Sequence, residues 1–104
     1  MALFLSIIRH GAAECAAHNE YYRKALLEGM PQMEDLAKKH VIKIVGSWTV
    51  HPKHFQVNVY DAPNFEALWA YCMEPPMKKV LDMYDWDLWP CVTREEVAQT
   101  LIQA

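Results

Sequence analysis

The most regular pattern of apolar and polar positions lies between His54 and Pro76, where a strand is followed by a helix. Apolar and polar side chains alternate from position 55 to 60, which is the period of a β-strand with one apolar face. Asn64 is a residue type preferred at a helix N-cap. Apolar residues at helical spacing come next: Phe65, Leu68, Trp69 and Cys72. The segment therefore predicts a strand that leads into a helix.

Three more segments have the alternation or the β-branched composition of strands. They cover positions 3–10, 41–50 and 85–89. The link His51-Pro52-Lys53 between the second and third strands is too short for anything but a hairpin. Four strands are therefore expected, and the second and third are expected to be neighbours.

Helical spacing predicts one long segment that ends near His40, with Asn19 as its N-cap. Pro31 removes an interior hydrogen bond, so we expect the helix to kink or restart there. A further helical segment continues from the proline pair at 75–76 to position 83. The capping box Thr93-Arg-Glu-Glu96 predicts a short C-terminal helix.

The resulting order, βαββαβ plus a terminal helix, predicts one α+β domain over residues 1–104. Its architecture is expected to be ferredoxin-like, an antiparallel four-stranded sheet in the order 4-1-3-2 with both helices on one face. Within it we expect the first strand to run parallel to the third. His10 would then lie near Tyr60 and Asp61, far from His51 and His54 at the hairpin. The fourth strand is expected to be antiparallel to the first, which places its start, Tyr84 and Asp85, near His10 as well.

The sheet is expected to have a core face and a face of mixed polarity. The helices are expected to cover an apolar set: Leu3, Leu5, Ile7, Phe55, Val57 and Val59. The other face then carries a mixed set: Phe4, Ser6, Ile8, His10, Gln56, Asn58 and Tyr60, with Trp48 and Trp86 on the outer strands. Such a face is too apolar for water and too polar for an ordinary core. A homodimer that encloses a lined cavity would satisfy both conditions.

Amino-acid composition and charge limit the classes of partner and the cellular compartment expected for this protein. The net charge is −3 with neutral histidines, and the ten Lys and Arg residues form no basic stripe, so nucleic-acid binding is not expected. The three cysteines are widely spaced and lack a CxxC motif, which is typical of reduced thiols in a cytoplasmic protein. The apolar start lacks the charged region of a signal peptide, and no segment approaches membrane-spanning length. No membrane partner is expected.

His10 is the leading candidate for acid–base chemistry, because a histidine beside a carboxylate and a phenol can hold a pKa near neutrality. In this hypothesis His10 is the base, and Tyr60 and Asn58 are polarising donors. The residues expected to contact a small-molecule ligand are Phe4, Ser6, Trp48, Gln56 and Trp86. The plain alternative is that His10 only hydrogen-bonds at the end of its strand.

A divalent metal site is a separate hypothesis. Glu14 and His18 stand four residues apart on one face if a helix begins by Ala12. His10 supplies a third ligand from the preceding strand, with Cys15 as an option. The spacing matches no established zinc signature, and Glu and His are also common as solvated residues of a first helical turn.

Several local sequences resemble the dimeric α+β-barrel superfamily, and together they span nearly the whole chain. They are the Gly46-x-Trp48 strand, the Asn-Phe-Glu-Ala-Leu helix start at 64–68 and the proline break after that helix. A further resemblance, to an uncharacterised branch of small proteins in the superfamily, is carried by the opening motif Arg9-His10-x3-Glu14-Cys15-x2-His18-Asn19.

The resemblance implies a homodimer with a small-molecule cavity. The superfamily includes cofactor-free monooxygenases, polyketide cyclases, isomerases, haem-degrading enzymes and ligand sensors. The His-Pro-x-His motif of the cyclases is replaced here by Glu74-Pro75-Pro76-Met77. Haem-degrading members place an axial histidine on the second helix, where this chain has none, so haem is disfavoured as a cofactor.

Three functional hypotheses follow. The first is a small enzyme that acts by acid–base chemistry on an aromatic or polyketide-like substrate. The second is a ligand-binding or sensor module with the same pocket and no turnover. The third is a metal-binding protein that uses the cluster from His10 to His18.

Overall fold

The computed structural model describes residues 1–104 and contains four strands and four helices. The strands are β1 (Ala2–Arg9), β2 (Lys43–Val50), β3 (Phe55–Ala62) and β4 (Asp85–Cys91). The helices are α1 (Glu20–Lys39), α2 (Phe65–Cys72), α3 (Pro75–Leu81) and α4 (Arg94–Gln103). Two short 3-10 turns, Ala12–Glu14 and His51–Lys53, follow β1 and β2. The predicted α+β order is therefore confirmed.

The strands form one sheet in the order β2-β3-β1-β4, as predicted, and every neighbouring pair is antiparallel. The expectation that β1 runs parallel to β3 is wrong. The crossover through α1 makes β1 parallel to β2, and the hairpin then reverses the chain into β3. Arg9 therefore pairs with Phe55, and the end of β1 meets the start of β3.

The helices cover the sheet face opposite to the expected one. The covered face carries the buried side chains of the two central strands: Phe4, Ser6, Asn58, Tyr60 and Ala62. The open face carries the set that was expected to be core: Leu3, Leu5, Ile7, Phe55, Val57 and Val59. Both faces contain apolar rows, so alternation alone could not decide which row the helices would meet.

The core lies between the covered face and the helices. Leu68 and Tyr71 of α2 are its largest fully buried side chains. Helices α2 and α3 and the end of α1 contribute further buried residues: Ala37, Cys72, Met77 and Leu81. Gly29 of α1 brings that helix close to α3, because a Cβ at this position would lie 3.4 Å from a methyl carbon of Val80.

The predicted helix starts are confirmed by their side-chain caps. Asn19 and Asn64 accept hydrogen bonds from the backbone N–H groups of Tyr22 and Ala67, at 3.2 and 2.8 Å. Thr93 accepts a hydrogen bond from the backbone N–H of Glu96 at 3.1 Å. These bonds satisfy donors that have no partner in the first helical turn.

Two prolines are placed differently from the expectation. Pro31 lies inside an uninterrupted α1, so the helix does not restart there. Pro90 lies within β4, which continues to Cys91 instead of ending at position 89 as predicted. β4 is an edge strand, where the missing N–H of proline costs no ladder hydrogen bond if it faces away from the neighbour.

Candidate functional site

The antiparallel pairing of β1 and β3 brings two histidines together. His10 follows β1, and its backbone N–H donates to the carbonyl oxygen of His54 at 3.1 Å. Nε2 of His10 lies 3.3 Å from Nδ1 of His54, and the ring centroids are 5.1 Å apart, edge to face. The expectation that His54 is remote from His10 is therefore wrong, because it followed from the expectation that β3 runs parallel to β1.

Local backbone geometry holds the two rings in place. His54 ends the 3-10 turn at 51–53 in the left-handed conformation, with φ 51° and ψ 46°. This conformation is uncommon for residues with a side chain, although histidine tolerates it better than most. It reverses the chain into β3 while the His54 ring remains beside the end of β1.

Cys15 is the third member of the group, which we call the His–Cys cluster: His10, Cys15 and His54. One nitrogen from each histidine and the Cys15 Sγ lie within 4.8 Å of one another. The turn at Ala12–Glu14 brings the chain back, and the Cys15 N–H donates to the Ala12 carbonyl at 3.3 Å. All three side chains are partly buried.

Beside the cluster lies a cavity of about 330 Å³, which we call the strand-end cavity. Its lining residues come from the end of β1, the following turn and the start of β4: Arg9, His10, Gly11, Glu14, Met83, Tyr84 and Asp85. The Arg9 guanidinium pairs with Asp87 at 2.7 Å. The carboxyl groups of Glu14 and Asp85 therefore give this cavity a negative lining.

Burial tunes the titratable groups of this region. It lowers the pKa of His10 below its usual value, and the neighbouring His54 lowers it further, while Glu14 acts in the opposite direction. Burial also raises the pKa of Tyr84, and Cys15 and Tyr22 add to this effect. A neutral imidazole and a neutral phenol are thus the favoured forms at neutral pH.

Aromatic rings form one wall of the region. The ring of Tyr84 lies 5.2 Å from that of His10 and stacks on Tyr22 at 5.8 Å. Tyr84 was expected near His10 from the pairing of β1 with β4, and this expectation is confirmed by the pairing of Arg9 with Asp85.

Tyr60 and Asn58, the expected donors to a substrate at His10, lie elsewhere. Tyr60 pairs with Phe4 and Asn58 with Ser6. At about 3.4 Å per residue, these positions are roughly 20 and 14 Å from His10 along the strand. Tyr60 is buried against Tyr71, with ring centroids 6.1 Å apart, and burial raises its pKa far above the usual value.

Asn58 and Gln56 satisfy each other within the subunit instead of facing the strand-end cavity. The Asn58 Oδ1 accepts hydrogen bonds from the Ser47 hydroxyl and, at 2.9 Å, from the Gln56 Nε2. Gln56 also donates to the Ser47 hydroxyl at 2.8 Å. Asn58 and Ser6 are only 4% and 3% exposed.

The remaining expected ligand contacts do not share one surface. Trp48 pairs with Val57 on the open face and is 57% exposed. Trp86 pairs with Ile8 on the covered face and stacks on Trp69 at 5.9 Å. Phe4 is buried in the core.

The metal trio inferred from sequence is only partly assembled. Glu14 lines the same cavity as His10, whereas His18 is exposed and lies outside both the cavity lining and the His–Cys cluster. Cys15, considered only as an option, is in the cluster, and His54 was missed. The topology 4-1-3-2 contained the signal, since it makes β1 and β3 antiparallel and so joins the end of one to the start of the other.

No protein-family model matches the chain, and a comparison with curated proteins finds no relative. None of its helices combines the length and the apolar character needed to cross a membrane.

Proposed function

We propose that the protein is a homodimer that binds a small molecule in the strand-end cavity and acts on it by acid–base chemistry. The supporting observation is the convergence of an imidazole, a phenol and two carboxyl groups on one open volume at the end of a central strand. A cavity with a few convergent polar groups and a perturbed titratable residue is the usual form of a small-molecule site.

The roles fall to residues at the strand end. His10 is the base, because a neutral imidazole can accept a proton from a ligand in the cavity. Tyr84, rather than Tyr60 or Asn58, is the polarising donor, because Tyr84 lines the same cavity as His10. The Tyr84 ring, which lines the cavity, favours contact with an aromatic or polyketide-like substrate.

The open face supports the homodimer. Its apolar rows extend onto the outer strands with Trp48 and Trp89, which are 57% and 59% exposed. Four strands of seven or eight residues make a sheet face of roughly 19 by 27 Å, or about 500 Å², of which the Arg9–Asp87 ion pair occupies one corner and apolar side chains most of the rest. An apolar patch of about 300–600 Å² is already the largest found on typical monomers and often marks an interface. A second copy would cover it symmetrically.

Helix α4 adds apolar area for such a partner. Its residues Val97, Leu101 and Ile102 are all exposed, and no residue of α4 is buried. A reducing compartment, and hence the cytoplasm, is supported by the cysteines, because Cys15, Cys72 and Cys91 are all free.

The test measures binding and turnover of a panel of neutral phenols and aromatic 1,3-diketones, because the negative lining of the cavity disfavours anions. We expect at least one member to raise the melting temperature of the wild-type protein. Tyr84→Phe should weaken its binding by about tenfold, the equivalent of one lost hydrogen bond. His10→Gln should abolish turnover.

Tyr21→Phe is the matched control, because Tyr21 is exposed on α1 and outside the cavity lining. Binding that is indifferent to both Tyr84→Phe and His10→Gln would reject this cavity as the ligand site. Binding without turnover would leave a sensor or carrier module in place of an enzyme.

A further inference from the structure

We propose that the His–Cys cluster binds one divalent transition-metal ion, zinc by its donor set, which faces the strand-end cavity. This inference rests on the proposed function, because it concerns the same cavity. It differs from the metal trio inferred from sequence in two of its three ligands. His54 and Cys15 replace Glu14 and His18.

The spacing of the two histidines fits a shared ion. Nε2 of His10 and Nδ1 of His54 are 3.3 Å apart. A tetrahedral zinc site with Zn–N bonds of about 2.0–2.1 Å holds two ligand nitrogens about 3.3–3.4 Å apart. The separation of the two nitrogens therefore matches the one that a shared zinc ion requires.

Cys15 is within reach of the third position. In such a site a thiolate at about 2.3 Å from zinc lies about 3.6 Å from each nitrogen. The Cys15 Sγ is within 4.8 Å of one nitrogen of each ring. A movement of about 1 Å completes the set, and this is less than the displacement of Sγ on rotation about the Cα–Cβ bond.

The pairing of the two imidazoles is itself informative. Two ring nitrogens that face each other make one hydrogen bond only when one of them carries the proton. An ion accepts both lone pairs at once and needs both rings neutral.

The donor set selects the kind of metal. Two imidazoles and a thiolate suit zinc and related soft or borderline ions, and are a poor site for magnesium or calcium. Three protein ligands leave one position open, as in catalytic rather than structural zinc sites. Glu14 and Tyr84 line the cavity on which this position would open.

With the ion bound, a different group performs the acid–base step. A zinc-bound water has a pKa near 7 and can serve as the base, while His10 serves as a ligand. In the metal-free protein the His10 imidazole remains available for that step. Cys15 binds the ion as a thiolate, and its thiol proton goes to solvent.

The experiment is a titration of the full chain, untagged, reduced and metal-free, with cobalt(II) and then zinc. We expect one equivalent of cobalt, with a thiolate-to-cobalt charge-transfer band and the visible bands of a tetrahedral ion. Zinc should displace it, with a Kd below about 1 μM in competition with a chromophoric chelator.

Variants assign the ligands. Cys15→Ser should remove the charge-transfer band, and Cys91→Ser, a free cysteine outside the cluster, should retain it. His54→Asn should weaken zinc binding by at least about 100-fold, because even the loss of a supporting partner outside the ligand set costs 10–100-fold. Asparagine tolerates the left-handed conformation at this position, so the variant should still fold. His18→Ala should change nothing.

Three results would overturn the metal site. They are no binding by the wild-type protein, binding that survives both His54→Asn and Cys15→Ser, and binding that depends on His18. The panel assay distinguishes this failure from failure of the proposed function. A metal-free protein that still binds a panel member loses only the metal site, and a metal-binding protein that binds no member, with or without the ion, loses only the proposed function.

Discussion

The two faces of the sheet carry their polar and apolar residues in the opposite sense from a simple core. The covered face holds buried Ser6 and Asn58 among its aromatic side chains. The open face holds rows of Leu, Ile and Val with two exposed tryptophans, Trp48 and Trp89. The comparison shows that side-chain polarity alone does not determine which face of the sheet is buried. The positions of the helices determine it.

Asn58 on the covered face remains compatible with burial because it bonds to polar neighbours. The Asn58 oxygen accepts from Ser47 and Gln56, so its burial carries little of the penalty of an unpaired amide. One polar atom on the open face, by contrast, is buried and has no hydrogen-bond partner. It is a carboxylate oxygen of Asp61, opposite Leu3.

The largest effect is expected where the covered face meets α2. Leu68→Ala should lower the free energy of unfolding by about 2–5 kcal/mol, because Leu68 is fully buried and its loss leaves a cavity. Urea denaturation measures the change. Leu27→Ala is the matched control, because Leu27 is exposed on α1 and should cost less than about 1 kcal/mol. Equal losses at both positions would contradict this assignment of faces.

A charged substitution on the open face tests the proposed homodimer interface. Trp48→Glu should weaken the proposed homodimer by about 2 kcal/mol, or roughly 30-fold in Kd, because a carboxylate cannot be buried there without a partner. Sedimentation over a range of concentrations measures it. The fold of the monomer should persist, since Trp48 lies outside the core.

Leu27→Glu places the same charge at a similarly exposed apolar position on α1 and should leave assembly unchanged. A wild-type protein that sediments as a monomer at micromolar concentration would remove the homodimer. A dimer equally disrupted by both variants would place its interface away from the open face.

The smallest effect is expected at Asn58. Asn58→Leu should lower stability by about 1 kcal/mol, because two hydrogen bonds are lost while Ser47 and Gln56 still bond to each other. Ligand binding in the strand-end cavity should be unchanged, since Asn58 does not line it. Thermal denaturation and the ligand panel measure the two quantities. Unchanged stability with lost binding would move the ligand site to the covered face.

Much of the fold follows from local signals in the sequence. Alternation located the four strands, and Asn19, Asn64 and Thr93 located the starts of three helices. These signals are readable because a strand period and a helix cap each depend on residues close together in the chain. The strand order followed from the right-handed connections between the elements.

The candidate site was predicted only in part, because its members come from separate segments. His10, Glu14 and the start of β4 were expected in one region and share one cavity. The expected direction of β3 is wrong. That error placed Tyr60 and Asn58 near His10 and placed His54 far from it. An error in one strand direction exchanges the two ends of the strand, and with them the residues assigned to a site.

The sequence by itself determined the elements, their order and the presence of two chemically distinct rows along each central strand. Only the tertiary structure decided which row the helices cover and which residues meet at the strand end. The physical reason is that strand and cap patterns arise from neighbours in the chain. Burial of a row and the contact of His10, Cys15 and His54 arise between distant segments. His10 and His54, for example, are 44 residues apart, and the direction of each strand and the position of each helix decide whether they meet.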